Sequence, residues 1–172
     1  MSYTTDRQPQ GFPYFPTNKI REAMIGELVA INDYNYHIAH SKIEEINEIW
    51  DHIRQDEKRH YGMLLELLRK YDPAQYAMYK EAKDHINLGE GKKSLKYYGK
   101  HLDRYSILNF IRDDIKGELE AIILYEQHIM EIPYKDVKDI FLEIINDEKE
   151  HVEELTMVLL KYDEDCYDGL EY

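Results

Sequence analysis

Gly26–Ile38 reads GELVAINDYNYHI, and 91 residues further along Gly117–Ile129 reads GELEAIILYEQHI; DEKRH at Asp56–His60 returns at the same distance as DEKEH at Asp147–His151. The shift holds without a gap from Ile20–Asp72 onto Ile111–Asp163, with 21 identities over 53 positions. An internal match of that length without gaps means two copies of one structural unit, related in the fold by an approximate twofold axis. Both copies are rich in Ile, Leu, Glu and Lys, and proline enters them once, at Pro133. Their apolar residues recur at spacings of three and four, the period of an α-helix with one buried face.

Each copy turns back on itself once, at Pro133 in the second and near Ser41-Lys42 in the first. The pattern predicts helices over 18–41, 44–71, 103–131 and 134–162. A hairpin of such helices leaves an apolar stripe that a second hairpin covers, so the fold class is all-α, a four-helix bundle over 18–163 built from repeat units 18–72 and 102–163. The connection 73–101, with Gly89, Gly91 and Gly99, is expected to cross the length of the bundle and to carry a short helix near 74–84. Residues 1–17 read as an extended arm, because in Phe12-Pro13-Tyr14-Phe15-Pro16 each proline fixes its own φ and restricts its predecessor. Residues 164–172 form an acidic tail.

Composition narrows the function classes. A chain of 172 residues has room for one domain with a real core. A net charge of −13 repels a phosphate backbone and argues against nucleic-acid binding. One cysteine, Cys166, rules out an internal disulfide, a CxxC pair and a four-cysteine metal site. No apolar run approaches membrane-spanning length, and Met1–Gln10 is polar where a signal peptide is apolar, so a soluble cytoplasmic protein is expected. The string GEGKKS at Gly89–Ser94 lacks the first glycine of a phosphate loop and places its serine one position late. Lys92, Lys93, Lys96 and Lys100 read instead as a solvated basic patch. The 16 tyrosines are the compositional oddity.

The seams carry the chemistry. The first runs Ile20, Met24, Glu27, Ile31, Tyr34, Ile38, and the third Ile111, Ile115, Glu118, Ile122, Tyr125, Ile129, one carboxylate in each. The second runs Ile46, Trp50, Ile53, Glu57, His60, Leu64, and the fourth Val137, Phe141, Ile144, Glu148, His151, Leu155, each with a Glu and a His three residues apart. Counted from the turns, Glu27 and the Glu57/His60 pair lie at one depth, and the repeat places Glu118 and Glu148/His151 likewise. Four carboxylates and two imidazoles therefore meet in an apolar interior, where even one unpaired ion costs several kcal/mol. Two divalent cations compensate four negative charges, and a mixed oxygen and imidazole set suits iron or manganese better than tetrahedral zinc.

On these residues the chain resembles the ferritin-like di-iron carboxylate family, including the bundle domain of rubrerythrin and bacterioferritin, through GELVAINDYNYHI, DEKRH, GELEAIILYEQHI and DEKEH. The resemblance implies that Glu27 and His60 hold one metal, that Glu118 and His151 hold the other, and that Glu57 and Glu148 bridge them. It makes Asp56 and Asp147 acceptors for the ligand histidines of the opposite hairpin. Tyr34 and Tyr125 fall where the family often places a tyrosine beside the metals, either as core aromatics with satisfied hydroxyls or as hydrogen-bonding or electron-supplying groups. His37 and His128, about 80° off the seam, are expected at its boundary rather than among the ligands. Where rubrerythrin usually adds a glutamate three residues after the third-helix ligand, this chain has Ala121.

The expected activity is reduction of hydrogen peroxide or O₂ by two iron ions, with manganese possible as the metal. With no set of four cysteines in the sequence, the electrons would come from an external donor such as a rubredoxin. Ferritin-type iron storage, catalase-like peroxide disposal by manganese and a metal-free structural bundle are the alternatives. A homodimer or larger homo-oligomer is expected.

Overall fold

The structure is a computed structural model that describes residues 15–89, 99–164 and 167. Most of the arm, most of the lysine patch, Cys166 and most of the acidic tail lie outside the described residues. Five helices follow in order: α1 (Pro16–His40), α2 (Glu44–Tyr71), α3 (Pro73–His85), α4 (Arg104–Glu131) and α5 (Lys135–Tyr162), with no strand among the described residues.

The four long helices are those the periodicity predicts. α1 begins two residues before position 18, because Pro16 occupies its first turn instead of extending the arm. Proline fits there: its φ is already helical and its missing N–H has no helical partner to lose. Phe15, restricted by that proline, is extended at ψ 128°. Asp72 caps α3 by accepting from the Gln75 N–H at 3.0 Å, and Asp103 caps α4 by accepting from Ser106 N–H at 2.9 Å.

α1 packs along α2 and α4 along α5, and the hairpins meet through α1 against α4 and α2 against α5. The repeat is visible in the ties at the bundle's ends. Arg21 pairs with Asp72, and 91 positions on Arg112 pairs with Asp163. Lys70 and Tyr71 both donate to Asp136, while Lys161 and Tyr162 both donate to Glu45, so each hairpin's tail is fastened to the start of the other's second helix.

α3 is the short helix expected in the crossover, one residue longer at each end than the 74–84 window and lying on the surface with no buried residue. Arg69 stacks over its Tyr79 ring at 3.8 Å. The far end of the crossover closes over α1, where Leu102 N–H donates to the His40 carbonyl at 3.0 Å. Gly99 permits this approach: a Cβ there would lie 2.6 Å from His40 Nε2 and 2.8 Å from the Ala39 carbonyl oxygen.

The core is divided. One apolar cluster gathers Ile20, Met24, Leu64, Val137, Phe141 and Ile144, and the other Ile46, Trp50, Ile53, Ile107, Ile111 and Leu155. Between them lies a buried polar layer made of Glu27, Glu57, His60, Glu118, Glu148 and His151, none more than 4 % exposed.

Candidate metal centre

One glutamate arrives from α1 and one from α4, and a Glu-x-x-His pair arrives from each of α2 and α5. On a helix, residues three apart share a face, so Glu57 and His60, like Glu148 and His151, project into the same layer. Two donor sets result, each with its atoms within 4.8 Å of one another: Glu27, Glu57, His60, Glu148, and Glu57, Glu118, Glu148, His151. Glu57 and Glu148 belong to both.

The imidazoles turn Nδ1 inward. His60 Nδ1 lies 3.4–3.5 Å from Glu27, Glu57 and Glu148. His151 Nδ1 lies 2.9 Å from Glu148, 3.4 Å from Glu57 and 3.9 Å from Glu118. Their Nε2 atoms face outward to the opposite hairpin, His60 to Asp147 at 3.0 Å and His151 to Asp56 at 3.7 Å. The first contact is a hydrogen bond. The second is an ion-pair distance, too long for one.

Protons compensate the charge in the chain by itself. Burial pushes the Glu27 carboxyl well above its ordinary range and Glu118 to about 8. Burial lowers the imidazoles, but the surrounding glutamates outweigh it, raising His60 strongly and His151 to about 12. Burial likewise raises Glu57, yet the two nearby imidazoles hold it below the usual carboxylate range. Two buried atoms of the layer, Glu57 Oε1 and His60 Nδ1, have no hydrogen-bond partner. Four carboxylates and two imidazoles, with buried polar atoms left unpaired among them, fit a pair of divalent cations that would replace those protons.

The tyrosines cross between hairpins. Tyr34 donates to Glu118, and Tyr125 donates to Glu27 at 2.6 Å. Both phenols are raised by burial and by the carboxylates they face, which keeps the hydroxyl proton on the tyrosine. Both hydroxyls are thus satisfied by the carboxylates across the layer.

His37 and His128 depart from expectation, for both are buried rather than at the boundary, 6 % and 0 % exposed. His37 stacks on Phe110 at 4.1 Å between ring centres and sits 3.2 Å from Asp114, which also accepts from Trp50 Nε1 at 2.8 Å. His128 Nε2 reaches Glu22 at 3.2 Å. Neither belongs to a donor set among the described residues. Asp114 lies three residues after Ile111 and four before Glu118, but the third seam runs through Ile115 instead. Its partners come from α1 and α2, so no local pattern announced it.

Arg59 is the other residue that the motifs did not single out. Its Nη2 donates to Asp56 at 3.0 Å and to Asp147 at 2.9 Å, bridging the two carboxylates that face the histidines. The repeat places Glu150 at the equivalent position, so one arginine serves both halves. On the opposite side of the layer, between α1 and α4, a half-open cavity of about 280 Å³ reaches Glu27, Glu57, Glu118 and Glu148.

A helical bundle with this layer at its middle defines a ferritin-like protein with a carboxylate and histidine cluster able to bind metal. The Rubrerythrin family model matches residues 18–159, and the chain belongs to that family. Among solved structures it is similar to a two-domain protein from Anabaena variabilis containing DJ-1/ThiJ/PfpI-like and ferritin-like domains, with a TM-score of 0.66 and 14% identity over 88% of this chain. This chain spans only 40% of that protein. It is also similar to a hypothetical protein from Pyrococcus furiosus, with a TM-score of 0.60 and 20% identity, covering 88% of this chain and 94% of that one. At these identities the likeness concerns the fold. No curated protein matches the chain. No described helix is long and apolar enough to cross a membrane.

Proposed function

We propose that the chain is a di-iron oxidoreductase that reduces hydrogen peroxide, in the manner of a rubrerythrin peroxidase. The observation that carries this reading is the pair of donor sets sharing Glu57 and Glu148. Glu27 with His60 and Glu118 with His151 would complete one set each, and the shared glutamates would bridge. Two Fe(II) ions held by these residues would supply one electron each, the two that H₂O₂ needs, with two protons, to become two waters.

The chain's own groups orient that chemistry. Asp147 accepts from His60 Nε2 and leaves Nδ1 with its lone pair directed inward. Tyr34 and Tyr125 hold the two terminal glutamates by hydrogen bonds while keeping their own protons. Apolar clusters flank the layer on both sides along the bundle. Turnover would need an external one-electron donor such as a rubredoxin, and the protein would work as a homodimer or larger homo-oligomer in the cytoplasm.

The test is metal content by mass spectrometry with anomalous scattering at the iron edge, on protein purified from its native host, followed by peroxide consumption with a chemical or protein reductant. Two irons per chain and Fe(II)-dependent loss of H₂O₂ are expected. Manganese in place of iron, with oxygen evolved from peroxide, would overturn the iron peroxidase reading, and a shell of many subunits by light scattering would move it to storage.

A further inference from the structure

The cavity over the glutamates, about 280 Å³, is large for the substrate just proposed. A water molecule's share of liquid volume is ~30 Å³, and an engineered apolar cavity of ~150 Å³ accepts benzene. The space is made by two pairs of minimal residues in equivalent places of the repeat, Gly26 with Gly117 and Ala30 with Ala121, and its walls are completed by Val29 and Leu124.

Packing does not require the second glycine. A Cβ on Gly117 would meet nothing within 4 Å, whereas glycine inside a helix costs about 1 kcal/mol relative to alanine. Its effect is to leave room. The floor of the cavity includes Glu57, which is 2 % exposed and whose Oε1 accepts no hydrogen bond. Its lining also includes Asp33, Asp113 and Glu120, all exposed, so its mouth is acidic and disfavours anions.

We infer that this cavity binds the organic group of a neutral hydroperoxide, ROOH, with a compact apolar R. The inference rests on the peroxide-reducing reading and names a substrate class for it. In the balanced reaction the O–O bond breaks, two electrons from two Fe(II) ions and two protons are taken up, and the products are ROH and water. An external one-electron carrier returns the two irons to Fe(II). Anionic fatty-acid hydroperoxides are disfavoured by the acidic mouth.

The probe is 2-phenylpropan-2-ol, the alcohol product of cumene hydroperoxide, titrated calorimetrically into the full chain as purified. One saturable site is expected, weakened at least tenfold by Gly117→Leu and less by Gly117→Ala. Ala121→Leu, which fills the same space from the next turn of α4, is expected to match Gly117→Leu, and circular dichroism checks that each variant is folded. No saturable binding, or binding by both leucine variants as tight as by the parent protein, overturns the inference. In the iron-loaded protein the ratio of kcat/KM for cumene hydroperoxide to that for H₂O₂ should fall at least tenfold in Gly117→Leu, and an unchanged ratio also overturns it. If the parent protein reduces neither peroxide, the proposed function fails and the hydroperoxide assignment with it, while the alcohol titration still decides whether the cavity is a ligand site.

Discussion

The Tyr125 hydroxyl, carried by the second hairpin, donates a 2.6 Å hydrogen bond to Glu27 of the first. Its repeat partner Tyr34 does the same in reverse to Glu118. Each terminal carboxylate is thus held by a residue of the other repeat, and the two halves of the layer are locked together by the groups that would bind metal. Tyr125→Phe removes one lock and leaves a buried carboxylate oxygen without its donor. The expected cost is about 1–3 kcal/mol, read by urea unfolding, with no change in helix content.

Glu57 belongs to both donor sets. Glu57→Ala should therefore reduce metal content from two ions per chain to one or none, whereas loss of a terminal glutamate, Glu27→Ala, should spare one ion. Plasma mass spectrometry on the two variants checks this. Full retention of two ions in Glu57→Ala would refute the bridging assignment.

Arg59 clamps Asp56 and Asp147 together. Burial raises Asp147, but the hydrogen bonds from His60 and Arg59 outweigh it and hold the group below its ordinary value. Arg59→Gln frees both aspartates, and with them the orientation of both imidazoles. Loss of such outer support typically weakens metal affinity by ~10–100-fold, which competition with a chelator measures.

Trp50 donates to Asp114, which burial raises above its ordinary value even with His37 and Trp50 beside it. The second repeat has Phe141 at the matching position, so Trp50→Phe keeps an aromatic ring there while removing the donor and part of the packed volume. The expected destabilisation is about 1–3 kcal/mol in thermal or urea melts. An unchanged midpoint would show that His37 alone satisfies Asp114.

Metal binding should release protons. Glu118 keeps its proton up to about 8 and His151 up to about 12, and a cation must displace both. Because these folded-state values are raised, the protonated forms prevail on the acid side, so affinity falls as pH drops. Below pH 8 the loss is ~tenfold per pH unit for each proton displaced. Calorimetry in buffers of different ionisation enthalpy counts those protons.

The bundle and its polar layer were legible because helical periodicity and the 91-residue repeat are local facts about the chain. The seams named all six buried residues of the polar layer and their common depth, and the resemblance added the rubrerythrin-like family that the family match bears out. Where local rules mislead, the reason is also physical. Pro16 reads as a helix breaker until its place in the first turn is known. His37 and His128 read as boundary residues by angle, but Phe110 and Asp114 from α4 cover the first and Phe141 from α5 packs against the second.

By itself, then, the sequence determined which residues face inward and at what height, since both follow from 3.6 residues per turn. Only the tertiary structure decided what lies across from them. Arg59 reaching both aspartates, the Tyr125–Glu27 and Tyr34–Glu118 exchange, the Asp114 cluster and the cavity left by Gly117 and Ala121 all depend on contacts between helices far apart in the chain. A side chain's spacing along one helix fixes its direction, but its partner is fixed by how two hairpins pack.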